Sequence, residues 1–382
     1  MSVKEKSASL ARFKTPFYFY DLDVLDQTLM SILKESKRYG YKLHFAVKSN
    51  ANKKILERIS SSGMGAECVS GNEILLSLES GFQAEDIVFA GVGKTDDEII
   101  RGIENNIFCF NIESIQEMEV INKLSSERNR TSSMALRINP DIDSFTHEYI
   151  TTGIQESKFG IGIHELSIAI QSLKSMKNLK LIGLHFHIGS QIRRMDVFKN
   201  LCLKINDIQR WLEGQGIITD HINVGGGLGI NYEDPDDLPE FDQYFSVFNK
   251  NLELRNGQGL HMEPGRCITG QAGSLITRVL YIKKGIKVDF AIVDAGLTDL
   301  IRPALYHARH KIENITSDEP SEKYDVVGPV CESSDSFGKH IDLPRSRRGD
   351  ILAIRSAGAY GEVMSSNYNL RDKAPAIFSS EI

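Results

Sequence analysis

Lys48 stands directly after the apolar run LHFAV, residues 43–47, and three further motifs lie at or near the ends of other apolar runs: HFHIGS from His185, NVGGG from Asn223 and HMEPGR from His261. If the runs are parallel barrel strands, their carboxyl ends open on one face and the motifs meet in one pocket. Each residue type suggests a chemistry. A lysine amine flanked by buried strands has a lowered pKa, becomes nucleophilic and can form a Schiff base with an aldehyde. Gly225, Gly226 and Gly227 sit where a strand passes into a loop, and Gly265 with Arg266 repeats that position one unit later. Adjacent loops late in a barrel form a phosphate site, where glycine lets backbone N–H groups approach and arginine adds a forked charge. Ser190 adds a hydroxyl to that set. A carboxylate such as Glu263 can keep a pyridine nitrogen protonated and so make the ring an electron sink. Together these residues describe a pyridoxal phosphate site.

Each has a plainer reading as well. A lone lysine beside a strand more often snorkels at the surface, a glycine cluster is more often a flexible turn, and Glu263 could pair with a nearby arginine. His185 and His187 alternate on one strand and therefore share a face. The pair could hold a divalent metal, or one imidazole could lie flat on a pyridine ring while the other packs, or both could be satisfied core histidines. A metal wants further ligands at other strand ends, whereas His44, His221 and His261 precede or open their runs.

Eight short apolar runs would carry these motifs, ending at Val47, Val69, Ala90, Phe110, Asn139, Ile188, Val224 and Glu263. Between them lie helix-length amphipathic stretches such as 72–79, 96–105 and 195–214, the alternation of a parallel sheet. Eight is the number that closes a (β/α)8 TIM barrel, so the fold class is α/β, with a barrel over residues 41–266. After Arg266 the segments SLITRVLYIKK, DFAIVDAG, YDVVGPVC and DILAIRSAGAY are β-branched and separated by Gly, Pro and charged turns, which predicts a mostly β domain over 267–382. Residues 1–40, with FYFY at 17–20 and a helical stretch at 23–38, form an N-terminal segment that could bridge the two.

Composition bounds the function. A chain of 382 residues, 41% hydrophobic and 25% charged with a formal net charge of -6, suits a soluble enzyme and disfavours nucleic-acid phosphates. No run of about 18 apolar residues suggests a membrane span, and MSVKEKSASLARFK lacks the apolar core of a signal peptide, so a cytoplasmic location is expected. The five cysteines, Cys68, Cys109, Cys202, Cys267 and Cys331, form no CxxC pair and read as reduced thiols.

From about Thr15 to Arg371 the chain resembles the fold-type III pyridoxal phosphate-dependent decarboxylases, whose barrel is like that of alanine racemase, and most closely the branch acting on diaminopimelate. The resemblance rests on ordered motifs: HFAVKSN, GAECVSGNE, ALRINP, TGIQESKFGI, GLHFHIGSQI, NVGGGLGI, EPGR, DLIRPALY, GPVCESSDSF and AGAYGEVMSSNYN. It implies that Lys48 is the Schiff-base lysine, His187 the ring-stacking imidazole and Glu263 the partner of the pyridine nitrogen. It further implies that Ser190, Gly226, Gly227, Gly265 and Arg266 hold the phosphate, that Arg137 faces the cofactor from the fifth strand, and that Tyr360 closes over it. In the family the β domain of a second subunit completes each pocket, implying a homodimer with Cys331 as proton donor near the reacting carbon, and Glu332 and Ser333 on the substrate's amino group. Tyr360 is implied to be shared in the same way.

Substrate choice rests on fewer residues. Diaminopimelate carries an amino-acid group at each end, and Arg302 with Tyr306 in IRPALY matches the family's positions for its distal carboxylate, with Arg266 beside them. Ornithine-like substrates would need an acidic residue instead, and an isolated arginine is often only a structural ion pair. The implied reaction is decarboxylation of meso-2,6-diaminopimelate to L-lysine and carbon dioxide. Other readings are a decarboxylase of a D-amino acid or carboxynorspermidine, a metal-dependent barrel hydrolase, or a non-catalytic pyridoxal phosphate carrier. Where the family often has CESGD, this chain has CESSD, and Ser334 stands in place of a glycine tolerant of positive φ.

Overall fold

Strand β1 (Phe17–Tyr20) comes first, and eight strands follow that are buried along nearly their whole length. They are β2 (Lys42–Ala46), β3 (Gly65–Cys68), β4 (Ile87–Phe89), β5 (Cys109–Ile112), β6 (Ser132–Arg137), β7 (Leu179–His185), β8 (His221–Asn223) and β9 (Gly259–Met262). All pair in parallel in sequence order, and β9 returns to β2 through Lys42↔His261 and Leu43↔Met262, closing the barrel. This is a computed structural model, and it describes residues 3–142 and 158–382. The TGIQES part of one family motif, residues 152–157, lies outside them.

Strands covered on both faces read as apolar runs, which is why the sequence locates all eight. Their ends are set by local chemistry. Ser70, Thr95 and Ser114 each accept the backbone N–H three residues on, from Glu73, Glu98 and Glu117, and so start the helices Gly71–Glu79, Asp96–Glu104 and Ile115–Glu127. Replacing such a cap by alanine costs about 1 kcal/mol. Glu73 and Glu117 reach back to the Val69 and Glu113 amides, at 2.7 and 2.8 Å, tying each loop to its helix.

Seven of the eight strands end one to three residues before their apolar runs do, β7 by the most. β7 stops at His185 rather than Ile188, because its neighbour β8 stops at Asn223, where Gly225 turns the chain at φ +69°. His187 therefore lies beyond the strand, and it does not share a strand face with His185. β5 runs to Ile112, two residues past the expected end, carrying the polar Asn111 into the interior. His44 and His261 lie within β2 and β9, while His221 opens β8.

The backbone divides into two compact units. One, residues 29–229 and 240–265, is the barrel with its helices. The other joins residues 1–28, 230–239 and 266–382, so a ten-residue excursion from the barrel sequence belongs to it. Its sheet adds β10 (Gly273–Lys283), β11 (Asp289–Val293), β12 (Ile312–Asn314), β13 (Ser321–Val327), β14 (Ser336–Pro344), β15 (Ile351–Ile354) and β16 (Ala376–Phe378). The order is β12-β15-β10-β11-β13-β14, with β1 antiparallel to β10 and parallel to β16. Phe17 and Phe19 pack with Leu10, Ile276, Ile351 and Ala353 in its core. No helix among the described residues is long and apolar enough to cross a membrane.

Candidate active site

In the barrel unit, Glu263 is the centre of a buried polar cluster. It directly follows β9 and is 4% exposed. Oε1 accepts from Asn111 Nδ2 on β5 at 3.2 Å and from Asn223 Nδ2 on β8 at 2.8 Å, and Oε2 pairs with His185 Nε2 on β7 at 3.0 Å. Burial alone would raise the pKa of this carboxyl, but His185, Lys48 and His187 outweigh it and hold the group well below the usual carboxylate range. A carboxylate oxygen accepts about two hydrogen bonds, so Oε2 keeps capacity for one more donor. That suits a protonated ring nitrogen.

Lys48 occupies a 3-10 turn, Val47–Ser49, immediately after β2. Its Nζ is 3.0 Å from both oxygens of Glu67 on β3. The lysine side chain is 35% exposed and the Glu67 side chain 1%, so the amine is reachable while its partner is dry. Burial pushes the Glu67 carboxyl up, Lys48 pulls it down, and the net direction is up. Two carboxylates near one amine thus shift in opposite senses, an arrangement that separates a permanent anion from a proton acceptor.

His187, half-buried, accepts from the Gly226 amide through Nδ1 at 3.3 Å. Burial first, then the charges of Lys48 and Arg137, depresses its pKa well below the ordinary value. The two histidines of HFH therefore have different partners. Arg137, ending β6, donates to Glu113 Oε1 at 2.6 Å, and Glu113 also accepts the amides of Gly91 and Gly160 at 3.1 and 3.0 Å. The Arg137 guanidinium also lies 4.7 Å from the Phe159 ring centre.

The glycines are required by backbone packing before any ligand is considered. A Cβ at Gly225 would meet Phe186 O at 2.4 Å, at Gly226 Glu263 O at 2.2 Å, and at Gly227 Gly189 O at 2.7 Å. At Gly265 it would meet the Ala46 Cβ and Ser49 Oγ, both at 3.0 Å. Ser190 is half-buried just beyond His187.

The second unit holds a cluster of the opposite sign. Arg302 opens the short helix Arg302–Tyr306 and is 4% exposed. Its Nη1 meets His310 Nε2 at 2.8 Å, its guanidinium lies 4.9 Å from the Tyr232 ring centre, and among the described residues its Nε has no hydrogen-bond partner. Arg266 donates from Nη1 to the Tyr232 hydroxyl at 2.6 Å and lies 4.8 Å from the Tyr360 ring centre. Burial would raise the Tyr232 pKa, yet the charges of Arg266 and Arg302 bring it down. Arg302 itself is depressed, by burial first and further by Arg266. Both guanidiniums stay charged, and the hydrogen-bond partners of Arg302 are uncharged side chains, so the structural ion-pair reading is set aside.

Tyr360 lies under the Arg266 guanidinium of its own chain, 4.8 Å from ring centre to guanidinium. It sits at φ +54°, and Ser356 four residues earlier at φ +56°. Such left-handed non-glycine residues are held by their surroundings and cluster at functional places. Cys331, Glu332 and Ser333 form an exposed loop. There Glu332 accepts from Tyr368 OH at 2.7 Å, and Ser333 lines a cavity of about 310 Å³ with Pro303, His307 and Lys339. Asp335 pins this loop by accepting the Leu297 and Val330 amides at 2.6 and 2.7 Å. Ser334 does not take a positive φ, so the missing glycine brings no strain. Cys331 is the exposed thiol, and the other four are buried.

Sequence reasoning missed Glu67, Glu113, Asn111, Asn223, Tyr232 and His310. A charged or amide residue inside a buried run was the available signal for the first four. Tyr232 and His310 offered none, since they lie 78 positions apart in otherwise ordinary segments.

A closed parallel barrel with a buried anion, a mouth lysine and a glycine-rich strand end defines a cofactor-dependent lyase type, and comparison with known proteins agrees. Residues 26–270 match the family model for the pyridoxal binding domain of pyridoxal-dependent decarboxylases. The chain belongs to that family, the fold-type III pyridoxal phosphate-dependent decarboxylases, and within it to the diaminopimelate decarboxylases. It is 56% identical to diaminopimelate decarboxylase of Bacteroides thetaiotaomicron, over 97% of this chain and 96% of that one. The enzyme of Helicobacter pylori strain J99 is 40% identical over 94% of this chain and 89% of the other. A crystal structure of diaminopimelate decarboxylase from Helicobacter pylori complexed with L-lysine superposes with a TM-score of 0.91, at 38% identity, over 97% of this chain and 93% of that one.

Proposed function

We propose that this protein decarboxylates meso-2,6-diaminopimelate to L-lysine and carbon dioxide, the last step of lysine biosynthesis, as a cytoplasmic homodimer. The observation that carries the substrate reading is the buried Arg302 guanidinium, whose Nε–H lacks a partner and whose contacts are uncharged or like-charged. A buried cation without a counter-ion is costly unless a ligand supplies one. A distal carboxylate does so, and a distal ammonium does not.

Lys48, Arg137, His187, Ser190, Gly226, Gly227, Glu263, Gly265, Arg266 and Tyr360 would hold pyridoxal phosphate. When bound, the cofactor supplies the electron sink that accepts the electron pair left by departing carbon dioxide. The anionic Glu263, kept so by His185, Asn111 and Asn223, holds a proton on the ring nitrogen. Lys48 must shed a proton to act as a nucleophile, and Glu67 at 3.0 Å, with its raised pKa, is placed to take it. Arg302, Tyr306 and Arg266 orient the substrate's distal carboxylate, while Glu332 and Ser333 of the partner subunit receive its amino group. Cys331 of the partner subunit then delivers a proton to the carbon that lost carbon dioxide, so one C–C bond is exchanged for one C–H bond.

Purified protein incubated with meso-diaminopimelate, with and without added pyridoxal phosphate, tests the reading. L-lysine and carbon dioxide should appear in equal amounts and depend on the cofactor. Turnover of a D-amino acid or carboxynorspermidine with none of diaminopimelate would move the substrate, and chelator-sensitive hydrolysis would overturn the reaction class.

A further inference from the structure

His310 is 5% exposed in the second unit, and its two ring nitrogens have unlike neighbours. Nδ1 lies 2.8 Å from the carbonyl oxygen of Arg355, and Nε2 lies 2.8 Å from Nη1 of Arg302. A carbonyl only accepts, so Nδ1 must carry the hydrogen. A guanidinium only donates, so Nε2 must be bare. A protonated imidazole would put N–H against N–H, so geometry alone fixes both the tautomer and the neutral state. Burial and the charge of Arg302 act in the same sense, holding the His310 pKa down to about 3.

The surrounding frame is equally specific. The Arg355 carbonyl that anchors His310 belongs to a residue whose guanidinium donates to Glu313 at 2.8 Å and to Asp236 at 2.7 Å. Asp236 lies in the excursion 230–239 that carries Tyr232, and Gln271 Nε2 donates to Pro235 O and Asp237 O of the same excursion, both at 2.8 Å. The Tyr232 ring meets His310 edge-on at 5.0 Å, and its hydroxyl is occupied by Arg266. Arg302 is thus held by the Tyr232 side chain and by the imidazole acceptor of His310.

We propose that His310 is the positioning residue for the carboxylate-binding arginine: as a neutral acceptor it fixes the Arg302 guanidinium plane so that the unpartnered Nε–H is presented to the substrate's distal carboxylate. A carboxylate at that place would offend the incoming one and neutralise the site, whereas an imidazole locked as acceptor orients the cation and leaves its charge for the ligand. This rests on the diaminopimelate reading above.

The test uses holoenzyme and two ligands that differ in the carboxylate, L-lysine and 1,5-diaminopentane, each measured as an inhibitor of meso-diaminopimelate turnover. His310→Phe keeps an aromatic ring but no acceptor. It should weaken L-lysine about 10- to 100-fold, the worth of a hydrogen bond to a charged group, with little change for 1,5-diaminopentane. KM for meso-diaminopimelate should rise while kcat stays within about threefold, since positioning acts on binding. His310→Gln, able to donate to the Arg355 carbonyl and accept from Arg302, should restore most of the discrimination. Equal weakening of both ligands by His310→Phe, or a His310→Gln protein as impaired as His310→Phe, overturns the role. Arg302→Met is run alongside. If it destroys discrimination while His310→Phe preserves it, only the His310 role falls; if it too preserves discrimination, the carboxylate subsite falls with it.

Discussion

The barrel cluster and the cluster of the second unit are both buried and charged, yet they are finished differently. Glu263 has its hydrogen-bond partners within the chain, from His185, Asn111 and Asn223 on three other strands. Arg302 meets one imidazole and one phenol, and among the described residues no carboxylate pairs with it. A charge satisfied by the protein is built to keep its state while something else changes. A charge left to neutral partners is built to receive a ligand. On the proposed reading the barrel would supply the reacting amine and the anion facing the ring nitrogen, and Arg302 of the second unit would choose the substrate.

The largest effect should come from removing the reactive amine. Lys48→Ala should abolish turnover and the visible absorption of bound cofactor while the circular dichroism stays native. A cofactor adduct still reducible by borohydride would contradict the assignment. Mixed with inactive Cys331→Ala subunits, it should regain activity if pockets are shared between subunits, and proven subunit exchange with no activity would mean one chain builds the pocket. Next comes Glu263→Gln, which keeps shape but loses the anion. It should bind cofactor and lose several orders of magnitude in kcat, and near-normal turnover would assign the ring nitrogen to another group.

Arg302→Met is expected to be smaller and selective. Stranding a carboxylate typically costs about 2 to 5 kcal/mol, roughly 30-fold to several thousand-fold in kcat/KM. Cofactor absorption should be unchanged. An equal loss on an analogue without the distal carboxylate would make the arginine structural.

The smallest effect concerns a third histidine group in the barrel, to which neither role is assigned. His44 Nε2 meets His261 Nδ1 at 3.0 Å, and the His221 and His261 rings stack at 4.5 Å, with Lys42, Asp86 and Glu263 as the charged groups nearby. Burial, then neighbouring histidines and Lys42, holds the His221 pKa down to about 3 from its ordinary 6.5. The unfolded chain binds this proton below 6.5 and the folded chain does not, so stability is full above pH 6.5 and falls as pH drops toward 3. His221→Leu should therefore narrow the difference in unfolding free energy between pH 7.5 and 5.5 by about 1 kcal/mol. Denaturant titrations at both pH values give the number, and an unchanged difference would show that His221 titrates normally in the fold.

Much of this was legible in the sequence because burial on both faces writes strands as apolar runs, and because Lys48, the glycines and Glu263 close or follow such runs. What stayed hidden was pairing across distance. Glu67 reads as a flaw in an apolar run until Lys48 is seen 3.0 Å away. His187 reads as a strand residue until its neighbour strand is seen to turn at Gly225. Tyr232 and His310 meet only because a ten-residue excursion folds with the second unit, and no local periodicity encodes that.

The division of labour is tested most directly by L-lysine affinity in two variants, Glu263→Gln and Arg302→Met, measured by calorimetry on cofactor-loaded protein. Glu263→Gln should bind L-lysine within about threefold of the parent despite its lost turnover, and Arg302→Met should bind it at least about 30-fold more weakly. Weak binding by Glu263→Gln together with normal binding by Arg302→Met would contradict that division.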